Sequence, residues 1–225
     1  MQQSTNQLNL EKMPAKDIIE KIKQTKREIK KQKTKMEHPY FFMEDCDIQD
    51  REKAKLDLLR KQLREMKEHI YKQGYPYSLY KEPKREIAFN SKIPYIKELT
   101  LAASITCIDS GTTVVGYKIA TCTVKEDEVH IFISYKDMDP PVDYNPSIKI
   151  IKKTDFLQAL KDLYMCEWRK VYDDMHIYGI DSGGVNMWYC DIKYKSGIRP
   201  LHYKGNGCAP YNIDDFFYLT QIYAL

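Results

Sequence analysis

Histidine and cysteine are weighed first, because metal binding and nucleophilic catalysis both start from them. His202 and Cys208 stand close in the chain, and Cys190 faces them across an expected hairpin. A zinc site wants four nitrogen or sulfur ligands, usually delivered in short paired spacings. None of the six cysteines (Cys46, Cys107, Cys122, Cys166, Cys190, Cys208) forms a Cys-x-x-Cys pair. Most sit in apolar or strand-like runs, where a thiol serves as a small hydrophobe. A Cys–His pair would have to join Cys166, Cys190 or Cys208 to His176 or His202, and no glycine-rich elbow surrounds any of them. Asp173, Asp174, Asp181 and His176 offer an acid–base site, yet clustered acids in a loop are ordinarily turn residues. Asp181 to Gly184 is a turn signal, and neither a Walker nor a dinucleotide glycine pattern occurs. No metal and no cofactor is expected. An enzyme would have to use the loops at 173–181 and 205–210.

Positive charge is the stronger functional hint. Lys21, Lys23, Lys26, Arg27, Lys30, Lys31, Lys33 and Lys35 crowd a stretch of fifteen residues, and Arg60, Lys61, Arg64 and Lys67 follow. Residues 1–72 carry 18 Lys and Arg against 13 Asp and Glu, whereas the rest of the chain is nearly balanced. Cations along a helix neutralise phosphates without reading bases. The competing explanation is a solvated coiled-coil face, since acids are interspersed in the second basic stretch. The candidate partner-binding residues are Lys23, Lys26, Arg27, Lys30, Lys31, Lys33, Arg60, Lys61 and Arg64.

These residues belong to elements that the hydrophobic spacing predicts. Residues 1–12 are polar and aperiodic, an expected disordered end. Residues 13–74 predict a basic helical hairpin. Ile18, Ile22, Thr25, Ile29, Gln32 and Met36 follow a 4-3-4-3-4 spacing after Pro14. Leu56, Leu59, Leu63, Met66 and Ile70 repeat at 3-4-3-4, with Asp47 as the expected N-cap and Gly74 as the stop. Two short-linked heptad stripes predict antiparallel, coiled-coil-like packing. Such a hairpin buries little alone, so it should dock on the body, on a second copy in a homodimer, or on another partner. Residues 75–94 carry three prolines and several tyrosines and predict an extended connector.

Residues 95–225 predict an α+β domain: an antiparallel sheet of about five or six strands with two helices, on one face. Strands are expected over 99–108, 113–124, 128–135 and 148–151, with a hairpin from Trp188 to Lys204. A helix capped by Thr154 should bury Phe156, Leu157, Leu160, Leu163, Tyr164, Trp168 and Val171. Asn212 with Asp215 predicts a capping pair for the last helix. No secretory signal opens the chain and no apolar run approaches membrane length, so a cytoplasmic setting is expected. The basic stripe lacks the aromatic anchors of a membrane-surface helix.

The C-terminal third resembles an uncharacterised family common in Firmicutes and their mobile elements. The resemblance rests on Trp168 and Tyr172, Asp181 and Trp188, Ile192 and Tyr194, then Gly205, Asn206, Pro210 and Phe216. This chain departs from the pattern at Asp181-Ser-Gly183 and at Gly207-Cys208. The resemblance implies a fold and no reaction, with a setting in phage defence or its inhibition. The expected function is therefore non-enzymatic: an interaction protein engaging a protein or a protein–nucleic-acid complex through its basic hairpin and Tyr-rich body. The alternative is a clamp on the DNA or RNA backbone. No membrane partner is expected.

Overall fold

The 4-3-4-3-4 spacing does what it predicts. In the computed structural model, helix α1 runs over Ala15–Met36 and buries Ile18, Ile22, Thr25, Ile29, Gln32 and Met36. The structure describes residues 10–38, 40–41, 44–76, 78, 81–109, 112–141, 145–173, 187–195 and 197–222. Helix α2 runs over Cys46–Lys72 and buries Leu56, Met66 and Ile70. Leu59 and Leu63 are half-buried. Ile18 and Ile22 cluster with Met66 and Ile70, so the start of α1 meets the end of α2 and the pair is antiparallel. Leu10 and Met13 pack on this cluster through a 3-10 turn at Leu10–Lys12, within the stretch expected to be disordered, of which residues 1–9 lie outside the described residues. Asp45, not Asp47, occupies the cap of α2, with Asp47 in the first turn where the helix dipole favours an acid. Gly74 adopts φ 75°, the left-handed conformation that closes a helix end.

A polar layer crosses the hairpin seam. Gln32 Nε2 donates to Glu52 Oε2 at 2.5 Å and to the Glu52 carbonyl at 3.2 Å. Lys35 Nζ reaches the other Glu52 carboxylate oxygen at 2.8 Å. These hydrogen bonds hold the Glu52 carboxyl below its ordinary value of 4.5, Lys35 contributing most. The folded pKa is depressed, so its stabilisation is present above the unfolded pKa and is lost as pH falls through the folded one. Glu52→Gln should therefore flatten the acid limb of hairpin stability and cost about 1–2 kcal/mol near neutrality. Hydrogen exchange of the α1 amides in the full chain, from pH 6 to pH 3, measures both. An unchanged acid limb would remove Glu52 as its source.

The chain divides between Glu82 and Pro83 into two units. The second holds a helix in the stretch expected to be an extended connector. Helix α3 (Lys84–Asn90) starts after Pro83 and buries Phe89, and Ile93 follows in a further 3-10 turn. Two of the three prolines that argued for extension, Pro83 and Pro94, open these turns instead, because proline suits a helix start.

Among the described residues seven strands form one sheet, more than the sequence predicts: β1 (Ile96–Asp109), β2 (Thr112–Val124), β3 (Glu128–Asp139), β4 (Ser147–Lys152), β5 (Val171–Tyr172), β6 (Met187–Tyr194) and β7 (Leu201–Asn206). Their order is β4-β3-β2-β1-β6-β7-β5. All pairs are antiparallel except β5 with β7. Alternation gives the sheet one covered face, with Val129, Ile131 and Ile133 on β3 and Trp188, Cys190 and Ile192 on β6 buried. Helix α4 (Lys153–Asp162) packs on β3 and β4 through Phe156 and Leu160. It ends well before Trp168, correcting the longer predicted face. Tyr164 takes φ 49° and turns the chain into a 3-10 turn at Met165–Glu167. Helix α5 (Ile213–Leu219) closes the covered side through Phe216. No helix among the described residues is long and apolar enough to cross a membrane.

Candidate functional site

The predicted basic residues lie on the hairpin but do not share one face. At roughly 100° per residue, Lys23, Arg27 and Lys30 fall within about 60° of arc, while Lys31 lies about 40° beyond it. Glu20 sits at the edge of that arc, 3.5 Å from Lys23 and 4.0 Å from Arg27. Lys26 and Lys33 flank the seam and are half-buried. Lys26 Nζ donates to the Lys81 carbonyl at 3.3 Å, and Lys67 pairs with Glu82 at 2.8 Å. Those two lysines hold the chain that follows α2 against the hairpin, a structural task the sequence did not reveal. Lys30, Lys31, Lys61 and Arg64 are exposed, and Arg60 is half-buried.

The metal and nucleophile candidates are separated by strand alternation. Cys190 and His202 lie on neighbouring strands, but Cys190 is fully buried on the covered face, opposite Tyr203. His202 sits one step along β7, on the other face, opposite Asp191. Burial pushes the Cys122 thiol up to about 12 and the Cys190 thiol well above its ordinary value, so neither is a ready thiolate. Cys166 and Cys208 are also buried. Among the described residues no three His, Cys, Asp or Glu side chains gather as a metal site. Asp174, His176 and Asp181 lie outside the described residues, and so does most of the 173–181 loop.

Trp168, Trp188, Gly205 and Phe216, singled out in the sequence, meet in one core. Trp168 is completely buried and meets Trp188, Tyr203 and Phe216 edge-to-face, with ring centroids 6.1, 5.5 and 5.3 Å away. Its Nε1 donates to Asn212 Oδ1 at 2.9 Å, and Asn212 Nδ2 donates to the Leu163 carbonyl. Asn212 therefore makes no side-chain cap bond to α5, correcting the predicted capping pair. Trp188 Nε1 donates to the Cys208 carbonyl at 2.9 Å. Gly205 lies against that bond, and Gly207 takes φ 66° beside it. The 205–210 loop is thus built around packing.

What sequence reasoning missed is the sheet's other face. Phe132 on β3 and Ile148 on β4 are direct partners, with Ile150 beside them, and these are 40%, 66% and 55% exposed. At the opposite edge, Tyr189 (β6), Lys204 (β7) and Val171 (β5) form one cross-strand row. The next pair is Asp191 with His202, whose Nδ1 lies 2.6 Å from Asp191 Oδ1. These residues border a groove of about 470 Å³, which Lys170 and Arg199 also line. The two-residue alternation in β6 and β7 signals which of them share a face. Lys170 and Arg199 come from two separate loops, before β5 and between β6 and β7, that no local pattern connects to it.

No family profile matches the chain, and neither a curated protein nor a solved structure is similar to it.

Proposed function

We propose that this is a non-enzymatic binding protein, which engages a macromolecular partner through the open face of its sheet and the exposed surface of its basic hairpin. The observation that carries this is the apolar patch of Phe132, Ile148 and Ile150 on the uncovered side of an otherwise packed sheet. Antiparallel sheets commonly leave one face wet, and most of this face is polar, with Thr100, Thr121, His130, Asp191 and His202 on it, so the apolar cluster at its β3–β4 edge stands out. The hairpin adds exposed Lys30, Lys31, Lys61 and Arg64, which favour an acidic protein surface or a nucleic-acid backbone. The resemblance to a mobile-element family favours a setting in phage defence or its inhibition, and buried cysteines that form no disulfide among the described residues suit a reducing cytoplasm.

The test compares the intact protein with two variants as baits in a cell extract. One carries Phe132→Asp and Ile150→Asp; the other carries charge reversals at Lys30, Lys31, Lys61 and Arg64. A partner held by the intact protein and lost from the sheet variant supports the proposal. Loss from the hairpin variant alone moves the binding surface to the hairpin, and identical capture by all three baits overturns both surfaces. Light scattering on the same samples reports whether the partner is a second copy.

A further inference from the structure

We propose that the groove at the β5–β7–β6 edge is a binding site for single-stranded nucleic acid. Three features point there together. Lys170, Arg199 and Lys204 are exposed cations around one groove, supplied by three separate segments. Tyr189 is 39% exposed on the same surface, directly opposite Lys204. The acids nearby are few: Asp191 is engaged by His202, Glu98 by Lys193 at 2.7 Å, and Asp173 lies beyond the end of β5. The groove therefore combines positive potential with an accessible aromatic ring.

That combination selects its ligand. A duplex keeps its base faces stacked inside, so an exposed tyrosine finds no base to stack on there. A single strand offers both a phosphate chain and free base faces, and stacking on an aromatic ring tolerates any sequence. A flat strand surface with a ring flanked by lysine and arginine matches that ligand, much as other sheet surfaces stack splayed bases. An acidic peptide would use the cations and leave the ring without a partner. The inference deepens the binding reading by naming a partner for one edge of the sheet, and the apolar Phe132–Ile150 patch lies at the other edge.

The experiment is fluorescence anisotropy of the full chain with labelled 20-nucleotide oligo(U) and oligo(dT), a 20-base-pair duplex, and a glutamate decapeptide. Three phosphate contacts predict a weakening of about twentyfold for the single strands between 50 and 200 mM salt. Reversing Lys170, Arg199 and Lys204 to Glu should weaken single-strand binding at least tenfold. Tyr189→Ala should weaken it about tenfold, with Tyr189→Phe restoring it, which a merely structural role for the ring would not show. The Phe132→Asp, Ile150→Asp variant should bind the oligonucleotides normally, so failure of the apolar-patch reading is separable from failure here. The proposal is overturned by no saturable binding at 50 mM salt or by equal affinity for the duplex or the decapeptide. Loss of binding on hairpin charge reversal with the groove variants unchanged also overturns it.

Discussion

Gly205→Ala should cost the sheet body roughly 4 kcal/mol, the combined effect of overpacking and a lost buried hydrogen bond. A Cβ at this position would meet Trp188 Nε1 at 2.1 Å and the Cys208 carbonyl at 2.2 Å. Neither atom can step aside. The indole is buried on the covered face, and the carbonyl is the acceptor of its N–H. Moving the ring breaks that bond, and moving the backbone disturbs Gly207, already in the left-handed region. Small domains hold only about 5–15 kcal/mol in total, so the variant should stay marginally folded at best. Thermal unfolding should begin roughly 10 °C lower. Both tryptophans of the chain report from this core, so near-ultraviolet dichroism should fade with it. A variant with an unchanged midpoint and spectrum would show that the Trp188 contact is not a constraint.

Trp168→Ala should be at least as damaging. Removing a buried tryptophan costs about 3–5 kcal/mol in lost burial and residual cavity. Here it also takes away the shared neighbour of Trp188, Tyr203 and Phe216, which joins the sheet to α5. The Asn212 carbonyl oxygen would lose its indole donor inside the core, worth about 1–3 kcal/mol more. Trp168→Phe separates the two contributions, because it keeps most of the ring contacts and drops the N–H. The expected order of chemical-denaturation midpoints is wild type, then Trp168→Phe, then Trp168→Ala. Equal midpoints for the two variants would assign the whole effect to the Asn212 bond.

The parts of this fold that were legible in the sequence are those where local contrast is strong. Ile18, Ile22, Ile29 and Met36 stand out from a lysine-rich background, so the seam of α1 could be drawn before any coordinates. Gln32 lies on that stripe as a polar interruption, and its reason, Glu52, sits on the other helix where spacing gives no clue. The α4 reading ran too far because Leu163, Tyr164 and Trp168 continue a helical spacing. The break comes from a left-handed tyrosine, which leaves no compositional mark. The stretch 75–94 was misjudged because its prolines outweighed the short helical pattern of Lys84 to Phe89. The groove was invisible because Lys170, Tyr189, Arg199 and Lys204 become neighbours only through the pairing of β6, β7 and β5. The nine hairpin cations named from the sequence take different places, which spacing alone does not separate: Lys26 fastens the following chain, whereas Lys30 and Lys31 face solvent.

The order of strands also sets a timetable for synthesis. Strand β1 pairs with β2, which follows it directly in the chain, but its other neighbour is β6, with Ala103 meeting Trp188 and Leu99 meeting Ile192. A ribosome adding roughly 5–20 residues per second needs on the order of ten seconds to travel from one to the other. Through that interval the nascent three-stranded meander presents a long unpaired β1 edge, and Leu99 and Leu101 lack their later cover. An open apolar edge is a template for pairing with other nascent chains. The position of β6 so late in the chain makes this a protein whose yield in the cell depends on how well that interval is guarded.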